Sequence, residues 1–348
     1  MKHHSPSPLI GIMTARKKNG VISGNGPLFI ALQKKLISLN GISFVFIPEE
    51  TEQDFINGYT FSPESNSWKK DRFPYPDLVY NRIPFRKIEK NERCQQFFSL
   101  LKEKNIPFFN PSFIDKYELF SLLKNHEYLQ HFLPQTILIQ DKRGLSTFLK
   151  KLKRLYLKPT QSSKGKGIVR IKLTGNEQVQ LEGVNKQEHY HSFSHFWEQW
   201  GTELLEKSYL AQEEIQSAEH DGHRFDFRIL AHANHDEYIV TGVGIRQSQE
   251  QGITTHIPAG GKLLPYQLLQ SSKHDQFIQS IVIPIGKALS KHLGYFGEFS
   301  IDAGVSEMGQ YYIYEVNSKP MSFDESEIEE RKIEQLCYLF QQLTNNLK

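Results

Sequence analysis

Three oxygen-bearing side chains near the end of the sequence could hold a metal ion. They lie in segments 297–304 and 311–320, which are rich in aromatic and β-branched residues and are separated by a Gly/Ser turn, so we predict a β-hairpin. Side chains on a strand alternate between faces, so Glu315 and Asn317 project together, and Asp302 can join them from the paired strand. Two carboxylates and an amide oxygen suit Mg²⁺, which completes its shell with phosphate and water.

The same three residues could instead be ordinary solvated side chains, because single acids on strands usually face water. Their apolar neighbours Ile313 and Val316 favour the metal interpretation. These neighbours predict a partly buried strand, where an unpaired carboxylate is costly and tends to need a cation.

A second candidate site is a glycine-rich loop between two predicted strands, residues 155–159 and 168–173. Three small residues of this loop could bring backbone amides to a phosphate group: Ser163, Gly165 and Gly167. Lys158, at the end of the first strand, could reach the same phosphate oxygens. The strand-loop-strand order differs from the strand-loop-helix order of a Walker loop. An ordinary surface hairpin is the alternative, and the basic residues around the loop favour phosphate contact.

Charged side chains also mark three predicted strands further along the chain. Glu213 and Glu214 are adjacent on the first, and solvation is expected for one of them. Asp226 and Arg228 alternate on the second, which places them on one face, where an opposite-charge pair could be only structural. Arg246 ends the third strand. No Ser/His/Asp triad accompanies these residues, and none of the fourteen histidines shows metal-ligand spacing.

The rest of the sequence predicts an α/β fold that positions these residues. In the first 112 residues, predicted strands and helices alternate, which indicates an open α/β sheet. Pro111 should end the last of these strands, and Asp115 can cap a helix that starts at Lys116. We therefore predict three domains, at residues 1–112, 113–207 and 208–348.

Composition indicates a soluble globular protein. The 348 residues are 38% hydrophobic and 23% charged, and a net charge of +3 is too small to indicate nucleic-acid binding. Cys94 and Cys337 lie far apart, which fits a reducing compartment better than a disulfide. The first apolar run, residues 9–13, is short and is followed by basic residues, so we expect neither a signal peptide nor a membrane span. The protein is expected to be cytoplasmic at synthesis.

Charge is distributed unevenly along the chain. Residues 142–172 contain eleven Lys or Arg and no acid, whereas residues 298–334 contain ten acids and three bases. A basic segment can be a solvated helix face or can serve a polyanion. A basic segment and an acidic, metal-holding segment together favour a metal nucleotide, because each could bind one side of the same triphosphate.

The motifs described above occur in a definite order, with further motifs between them. In chain order they are Asp115-Lys116, Leu157-Lys158-Pro159 with its glycine-rich loop, Gln212-Glu213-Glu214, Asp226-Phe-Arg228, Gly260-Gly261, Asp302 and Glu315-Val-Asn317-Ser-Lys-Pro320. This ordered set resembles the ATP-grasp superfamily over roughly residues 115–322. The Asp226 and Glu315 motifs resemble the ribosomal-protein glutamate ligase branch, and more closely the endospore-coat-associated YheC/YheD type.

The resemblance implies an ATP-grasp fold in which ATP lies between two α/β subdomains that follow an N-terminal pre-ATP-grasp domain. The implied cofactors are ATP and Mg²⁺, which Mn²⁺ could replace. Lys116 and Lys158 would contact the phosphates together with the glycine-rich loop. Glu213 and Glu214 would hold adenine and ribose, with Asp226 near the ribose.

At the reacting end of the nucleotide, the resemblance implies two more groups of residues. Asp302, Glu315 and Asn317 would hold one or two Mg²⁺ ions on the β and γ phosphates. Arg228 and Arg246 match positions where a transferred phosphoryl group meets its acceptor carboxylate, a role suited to the fixed donor fork of arginine.

The activity implied is ATP-dependent ligation of a carboxylate and an amine through an acyl phosphate, with release of ADP. The implied partners are small-molecule or peptide carboxylates and amines, and spore coat proteins; neither nucleic acid nor membrane is expected. A spore-coat structural protein that binds nucleotide without turnover is one alternative. A kinase that acts on a hydroxyl group is another.

Substrate specificity is expected in residues 246–265 and on the first domain near Asn81 and Arg82, although Arg82 could be only a salt-bridge partner. The sequence departs from the glutamate-ligase pattern at His256, where that branch usually has asparagine. Nucleotide contact by residues 254–256 is therefore not carried over.

Overall fold

Residues 8–162, 166–184, 186–248 and 261–345 are described by the computed structural model, and three β-sheets follow one another along them. The strands of the first sheet are β1 (Leu9–Met13), β2 (Ile42–Thr51), β3 (Ile56–Ser62), β4 (Ser67–Phe73), β5 (Leu78–Asn81) and β6 (Phe108–Phe109). Its helices are α1 (Gly26–Ser38), α2 (Arg86–Glu89) and α3 (Glu92–Glu103). Strand β1 pairs in parallel with β2 and β5, and β6 pairs in parallel with the other edge of β5. The predicted open α/β sheet is therefore confirmed.

The antiparallel hairpin of β3 and β4 extends this sheet beyond β2 and was not expected. Its outer strand contains two lysines, an aspartate and an arginine in seven residues, and most of its side chains are exposed. Charged side chains are common on edge strands. This strand therefore lacks the alternation of apolar and polar residues from which strands are predicted.

Helix α4 (Lys116–Lys124) connects the first sheet to the second. Asp115 caps this helix as predicted, because its side chain accepts hydrogen bonds from the backbone amides of Tyr117 at 2.8 Å and Glu118 at 3.4 Å. The backbone amide of Lys116 donates to the carbonyl oxygen of Thr160 at 3.1 Å, which ties the start of the helix to the second sheet.

The second sheet is antiparallel throughout and has a hydrophobic core of its own. Its strands are β7 (Thr136–Leu138), β8 (Arg154–Pro159), β9 (Val169–Leu173), β10 (Val179–Gly183), β11 (Lys186–Tyr190) and β12 (Tyr209–Glu213), with helices α5 (Lys142–Leu152) and α6 (Phe193–Glu206). The glycine-rich loop joins the neighbouring strands β8 and β9, in the strand-loop-strand order expected. Strand β12 pairs with β7 and β8, so a boundary at 207/208 would separate it from its own sheet.

The third sheet carries the hairpin with the candidate metal ligands. Its strands are β13 (Glu219–His220), β14 (His223–Asn234), β15 (Glu237–Gln247), β16 (Lys262–Leu264), β17 (Glu298–Val305) and β18 (Tyr311–Asn317), with helices α7 (Ser272–Leu293) and α8 (Ser326–Asn345). The described strands lie in the order β16-β15-β14-β17-β18, and β13 pairs with β14. Within the described ranges, no helix is both long and apolar enough to cross a bilayer.

The first and third sheets share one hydrophobic core. Tyr80 of β5 stacks on Phe109 of β6 with ring centroids 4.6 Å apart, and Phe340 of α8 packs against both rings at 5.7 and 6.0 Å. The third sheet is therefore anchored to the first through its terminal helix, whereas the core of the second sheet is separate from this one.

A buried asparagine joins the first sheet to the third. The side-chain oxygen of Asn110 accepts hydrogen bonds from the amides of Gly297 at 3.0 Å and Glu298 at 3.2 Å, and its side-chain nitrogen donates to the carbonyls of Glu298 and Ser318. The side chain is fully buried, and the backbone has a φ of 56°. Asparagine tolerates this left-handed backbone conformation better than most residues do.

We expect Asn110→Ala to lower the free energy of unfolding by about 2–4 kcal/mol, because it leaves several buried backbone groups without partners at about 1–3 kcal/mol each. Urea titration followed by tryptophan fluorescence measures the change. Asn105→Ala is the matched control, since Asn105 has a similar φ of 55° but is exposed. Equal losses in the two variants would show that the asparagine bridge does not stabilise the fold.

Candidate functional site

The hairpin of β17 and β18 brings the three candidate metal ligands together. Asp302 lies opposite Glu315 in the strand register, and Ser300 lies opposite Asn317. The side-chain amide of Asn317 donates a hydrogen bond to Oδ2 of Asp302 at 3.2 Å. Val316, between Glu315 and Asn317 in sequence, is buried on the opposite face. Two carboxylates and one amide therefore share one face of the sheet edge.

Two lysines from outside the third sheet approach these acids. The Nζ of Lys116, at the start of α4, forms an ion pair with Oε1 of Glu315, and only 10% of the Lys116 side chain is exposed. Lys158, in β8, donates a hydrogen bond from Nζ to Oε1 of Gln212 at 2.6 Å. The cations of α4 and the second sheet thus face the anions of the third sheet.

Burial and charge together set the ionisation of this cluster. Burial lowers the pKa of Lys158 to about 8; Lys116 lowers it further, while the nearby carboxylates, of which Glu315 has the largest effect, oppose the change. Burial raises the pKa of Glu315, but the charges of Lys116, Lys158 and Arg86 outweigh burial and hold this pKa below its ordinary value. Glu315 is therefore an anion at neutral pH.

The two lysines and the hairpin line one small cavity. It has a volume of about 30 Å³ and its polar lining consists of Lys116, Lys158, Gln212 and Glu315. The rest of its lining is apolar or aromatic and comes from α4, the segment before β7, β12 and β18: Leu119, Phe120, Leu123, Leu133, Pro134, Leu210, Ile313 and Tyr314. An apolar wall beside lysines suits a flat base with attached phosphates, but ligand pockets usually reach about 300 Å³ or more. In this structure the cavity is smaller than such pockets.

Arg228 lies on β14, which is next to the hairpin, and Arg246 lies on β15, one strand further away. Arg228 of β14 is opposite Asp302 of β17, and Arg246 of β15 is opposite Asp226 of β14. Arg246 is nearly buried and holds the carboxylate of Glu325 with two hydrogen bonds, 2.6 Å from Nη1 and 3.1 Å from Nη2. Arg228 is thus beside one of the metal candidates, whereas Arg246 is opposite Asp226 and has a carboxylate partner within the chain.

The two glutamates at the end of β12 occupy different surroundings. Oε2 of Glu213 accepts a hydrogen bond from the backbone amide of Gln135 at 3.2 Å. Oε1 of Glu214 accepts one from Nη1 of Arg170 at 2.9 Å, and only 9% of its side chain is exposed. Glu214 therefore forms a buried ion pair with the second sheet, and Glu213 lies closer to solvent.

The glycine-rich loop is described only in part. Gly167 has a φ of 75°, and a Cβ at this position would lie 2.9 Å from Cγ of Pro159, so a larger residue does not fit. The predictions for Ser163, Gly165 and His256 fall outside the described residues, as does most of the loop between Gln247 and Lys262.

The suggested role of Asn81 and Arg82 in substrate specificity does not fit their surroundings. Both side chains are buried. Asn81 donates to Glu89 at 2.8 Å, and Arg82 donates from Nη1 to Glu298 at 3.2 Å. Arg82 is therefore a salt-bridge partner, which was the alternative from sequence.

The donor set on the hairpin fits a hard divalent cation. No group of three or more His, Cys, Asp or Glu side chains with metal-binding geometry exists in the described parts of the chain. The candidate set contains only two carboxylates, Asp302 and Glu315, with the amide oxygen of Asn317 as the third donor. Mg²⁺ commonly binds to one or two carboxylates plus phosphate oxygens, so two acids are sufficient when the phosphates supply further ligands.

Lys158 should make the stability of the protein depend on pH above neutrality. Its pKa is about 8 in the folded chain, against about 10.4 in an unfolded one, so between these values the unfolded state binds more protons. We expect the free energy of unfolding to rise from pH 8 to 10 more steeply in the native protein than in Lys158→Met. Urea titrations across this range measure it, and Lys166→Met, an exposed lysine in the same loop, is the control. Identical slopes for all three proteins would contradict the assignment.

Comparison with known proteins identifies relatives of the chain. The sequence model of a family described as YheC/D like ATP-grasp matches residues 105–342. The endospore coat-associated protein YheD of Bacillus subtilis strain 168 is 27% identical over 337 residues, covering 90% of this chain and 72% of YheD. The endospore coat-associated protein YheC of the same strain is 22% identical over 294 residues, covering 80% of this chain and 81% of YheC.

Solved structures with the same fold are ligases. D-alanyl-alanine synthetase A from Vibrio cholerae superposes with a TM-score of 0.59 at 10% identity, covering 98% of both chains. The ATP-grasp ligase PsnB, in a complex with a phosphomimetic precursor variant, Mg and ADP, superposes with a TM-score of 0.55 at 14% identity, covering 97% of this chain and 99% of PsnB. At these identities the similarity establishes the fold, which is that of the ATP-grasp ligases.

Proposed function

The chain belongs to the YheC/D-like ATP-grasp family, and we propose that it is an ATP- and Mg²⁺-dependent ligase that joins a carboxylate to an amine. The observation that carries the proposal is the cluster of Lys116 and Lys158 with Glu315 and Asp302 beside a cavity with an apolar wall. Cations on one side and metal-binding acids on the other are the arrangement that a metal-bound triphosphate requires.

In the proposed reaction, a carboxylate oxygen of the acceptor attacks the γ-phosphorus of ATP, and the bond to ADP breaks. The acyl phosphate then reacts with an amine, whose nitrogen bonds to the acyl carbon while phosphate leaves and the nitrogen loses a proton. Negative charge spreads over the transferring phosphoryl group in the first step. Positioned cations stabilise that charge, and no nucleophilic side chain is needed.

The residues of this chain divide that work among them. Lys116 and Lys158 would hold the β and γ phosphates from the side of α4 and the second sheet. Asp302, Glu315 and Asn317 would hold Mg²⁺, which when bound neutralises part of the phosphate charge and orients the γ-phosphate. Arg228 would bind the acceptor carboxylate. Closure of the second sheet onto the third would exclude water, which would otherwise hydrolyse the acyl phosphate.

The nucleotide itself would lie along the same cavity. We propose that the backbone and acids at Glu213 and Glu214 hold adenine and ribose, that Asp226 lies near the ribose, and that Gly167 belongs to the loop that covers the phosphates. The first 112 residues would form the pre-ATP-grasp domain, with the ATP site between the units that follow. Mn²⁺ would substitute for Mg²⁺, because both accept oxygen ligands.

The substrates we propose are small-molecule or peptide carboxylates and amines. PsnB, one of the proteins with this fold, has been solved with a minimal precursor, and the named relatives are endospore coat-associated. We therefore propose peptide segments of spore coat proteins as one substrate class, with the protein in the cytoplasm at synthesis and at the coat later. A structural coat protein without turnover is the second candidate, because its relatives are named for association and not for catalysis.

Release of ADP from ATP, measured with a coupled assay across a panel of amino acids and short peptides, tests the proposal. We expect release that needs Mg²⁺, an acid and an amine together, with an amide as the isolated product. A phosphorylated alcohol as product would show a kinase. ADP release that is independent of every acid and amine, or no release above that of Lys158→Met, would contradict the ligase.

A further inference from the structure

Phe323 and Glu325 lie against the two arginines of the site, although the motifs of the sequence did not assign them a role. They belong to the short segment between the end of β18 and the start of α8. The ring of Phe323 is buried, and the guanidinium carbons of Arg228 and Arg246 lie 5.1 and 5.9 Å from its centroid. One aromatic ring therefore supports both cations.

The guanidinium group of Arg246 already donates hydrogen bonds to a carboxylate of the same chain. Its Nη1 and Nη2 donate to the two carboxylate oxygens of Glu325, and Oδ2 of Asp324 lies 3.6 Å from Nη2. Only 7% of the Arg246 side chain is exposed. A two-point contact of this kind is among the strongest that arginine forms, and it occupies the edge of the guanidinium group that binds carboxylates.

The strand that carries Arg246 leaves room for this ion pair. Gly244 lies next to it on β15, and a Cβ there would collide with Oε1 of Glu325 and would lie 2.9 Å from Nη1 of Arg246. The backbone carbonyl of Glu325 accepts bonds from Ile328 and Glu329 at the start of α8, so the helix fixes its position. Glu325 is thus held in place on both sides.

Arg228 is in a different situation. Its guanidinium group lies over Phe323, and its Nε is buried without a hydrogen-bond partner among the described residues. Stacking on a ring fixes the plane of a guanidinium group and leaves its edge available to an anion. Of the two arginines, Arg228 is therefore the one whose donors remain for a ligand.

We propose that Glu325 is a specificity-determining residue. By accepting the hydrogen bonds of Arg246, it leaves Arg228 as the arginine that can bind the acceptor. The site would therefore take an acceptor with one negative charge. Glu325 and Asp324 both lie within ion-pair distance of Arg246, so its charge is already balanced within the chain, and the shorter contact is with Glu325. A second negative group on the acceptor would meet the charge of Glu325 in a partly buried place, where repulsion is strong. The acceptor would thus present a lone carboxylate. The term acceptor rests on the proposed ligase function, but the preference for a singly charged anion does not depend on it.

Two simple anions test the proposal on the full-length protein without nucleotide. Acetate stands for a monocarboxylate and sulfate for a dianion, both measured against chloride at equal ionic strength through the concentration dependence of the thermal midpoint. Sulfate can also bind at Lys116 and Lys158, so the quantity compared is the change in each affinity between the native protein and a variant. In Glu325→Gln, which frees the Arg246 fork, sulfate affinity should rise at least about tenfold. Replacement of Glu327, an exposed acid in the first turn of α8, by Gln should leave both affinities unchanged.

Two further variants assign the effect to particular side chains. The gain in sulfate affinity should disappear in Glu325→Gln combined with Arg246→Met, and Arg228→Met should remove the acetate response of the otherwise native protein. Glu325→Asp, which keeps the charge on a shorter side chain, should give a smaller gain. Unchanged sulfate affinity in Glu325→Gln, or a gain that survives Arg246→Met, would overturn the proposal. Failure of both Glu325 variants to fold would overturn it as well, since the pair would then be structural. Because no ATP is present, none of these results depends on turnover.

Discussion

Mg-ATP is expected to give no thermal stabilisation to a variant in which Glu315 and Asn317 are both replaced by alanine. A ligand at about 100 times its Kd stabilises the protein that binds it by about 2.7 kcal/mol. Glu315 supplies the carboxylate that Lys116 approaches, and Asn317 hydrogen-bonds to Asp302, so the double replacement leaves one ligand of the proposed three. The protein would then no longer bind the proposed metal, and the triphosphate would no longer be held through it.

The measured quantity is the rise in the thermal midpoint on addition of Mg-ATP, and not the midpoint itself. Removal of Glu315 also leaves the nearly buried Lys116 without its partner, which lowers the stability of the free protein for a separate reason. Glu307→Ala is the matched control, because Glu307 is an exposed acid in the turn of the same hairpin. Full stabilisation of the double variant by Mg-ATP would place the metal site elsewhere in the molecule.

The second large effect is expected at Glu298, at the start of β17. Its side chain is fully buried, accepts a hydrogen bond from Tyr80 at 2.6 Å, and lies 3.2 Å from Arg82 and 3.4 Å from Lys332. We expect Glu298→Gln to lower the free energy of unfolding by about 3–5 kcal/mol, because it removes the anion that buried Arg82 contacts and leaves buried Lys332 with Glu329 alone, at 3.5 Å. Urea titration measures the loss.

The pH dependence of this pair has a definite sign. Burial raises the pKa of Glu298, but the charges of Lys332 and Arg82 outweigh burial, and the folded-state pKa lies well below its ordinary value. The stabilisation is therefore complete above the unfolded pKa of about 4.3 and is lost as the pH falls below it. We expect the difference between the native protein and Glu298→Gln to shrink as the solution is acidified below that value.

Glu334→Gln serves as the control for both measurements. Glu334 lies on α8 as Lys332 does, but it is exposed, and its ion pair among the described residues is with the half-buried Lys35 at 3.3 Å. Surface pairs of this kind contribute about 0–1 kcal/mol. A loss at Glu298 as small as the loss at Glu334 would show that the buried charges stabilise nothing.

The candidate metal ligands were accessible from sequence because their arrangement is local. Strand alternation alone places Glu315 and Asn317 on one face, and the short turn to the preceding strand brings Asp302 beside them. The cap at Asp115 was equally local, since it depends on residues within one helical turn. Features that depend on spacing of two to fifteen residues leave a pattern that a sequence can carry.

The partners of the arginines and of Glu298 could not be derived in this way. Arg246 and Glu325 are 79 residues apart, and Tyr80 and Glu298 are 218 residues apart. Neither pair shares a periodic pattern, because each contact exists only once the third sheet has packed with its neighbouring segments. The unequal charges of the basic segment, residues 142–172, and of the acidic hairpin could be recognised from sequence, because a charge distribution is visible before the geometry is known.

The most direct test of the account is the position of Mn²⁺ in crystals grown with a non-hydrolysable ATP analogue, located by anomalous scattering. We expect a metal peak between Asp302, Glu315 and Asn317, with phosphate oxygens on its far side and Lys158 in contact with those oxygens. A metal peak away from this hairpin, or a nucleotide bound without contact to Lys158, would contradict it.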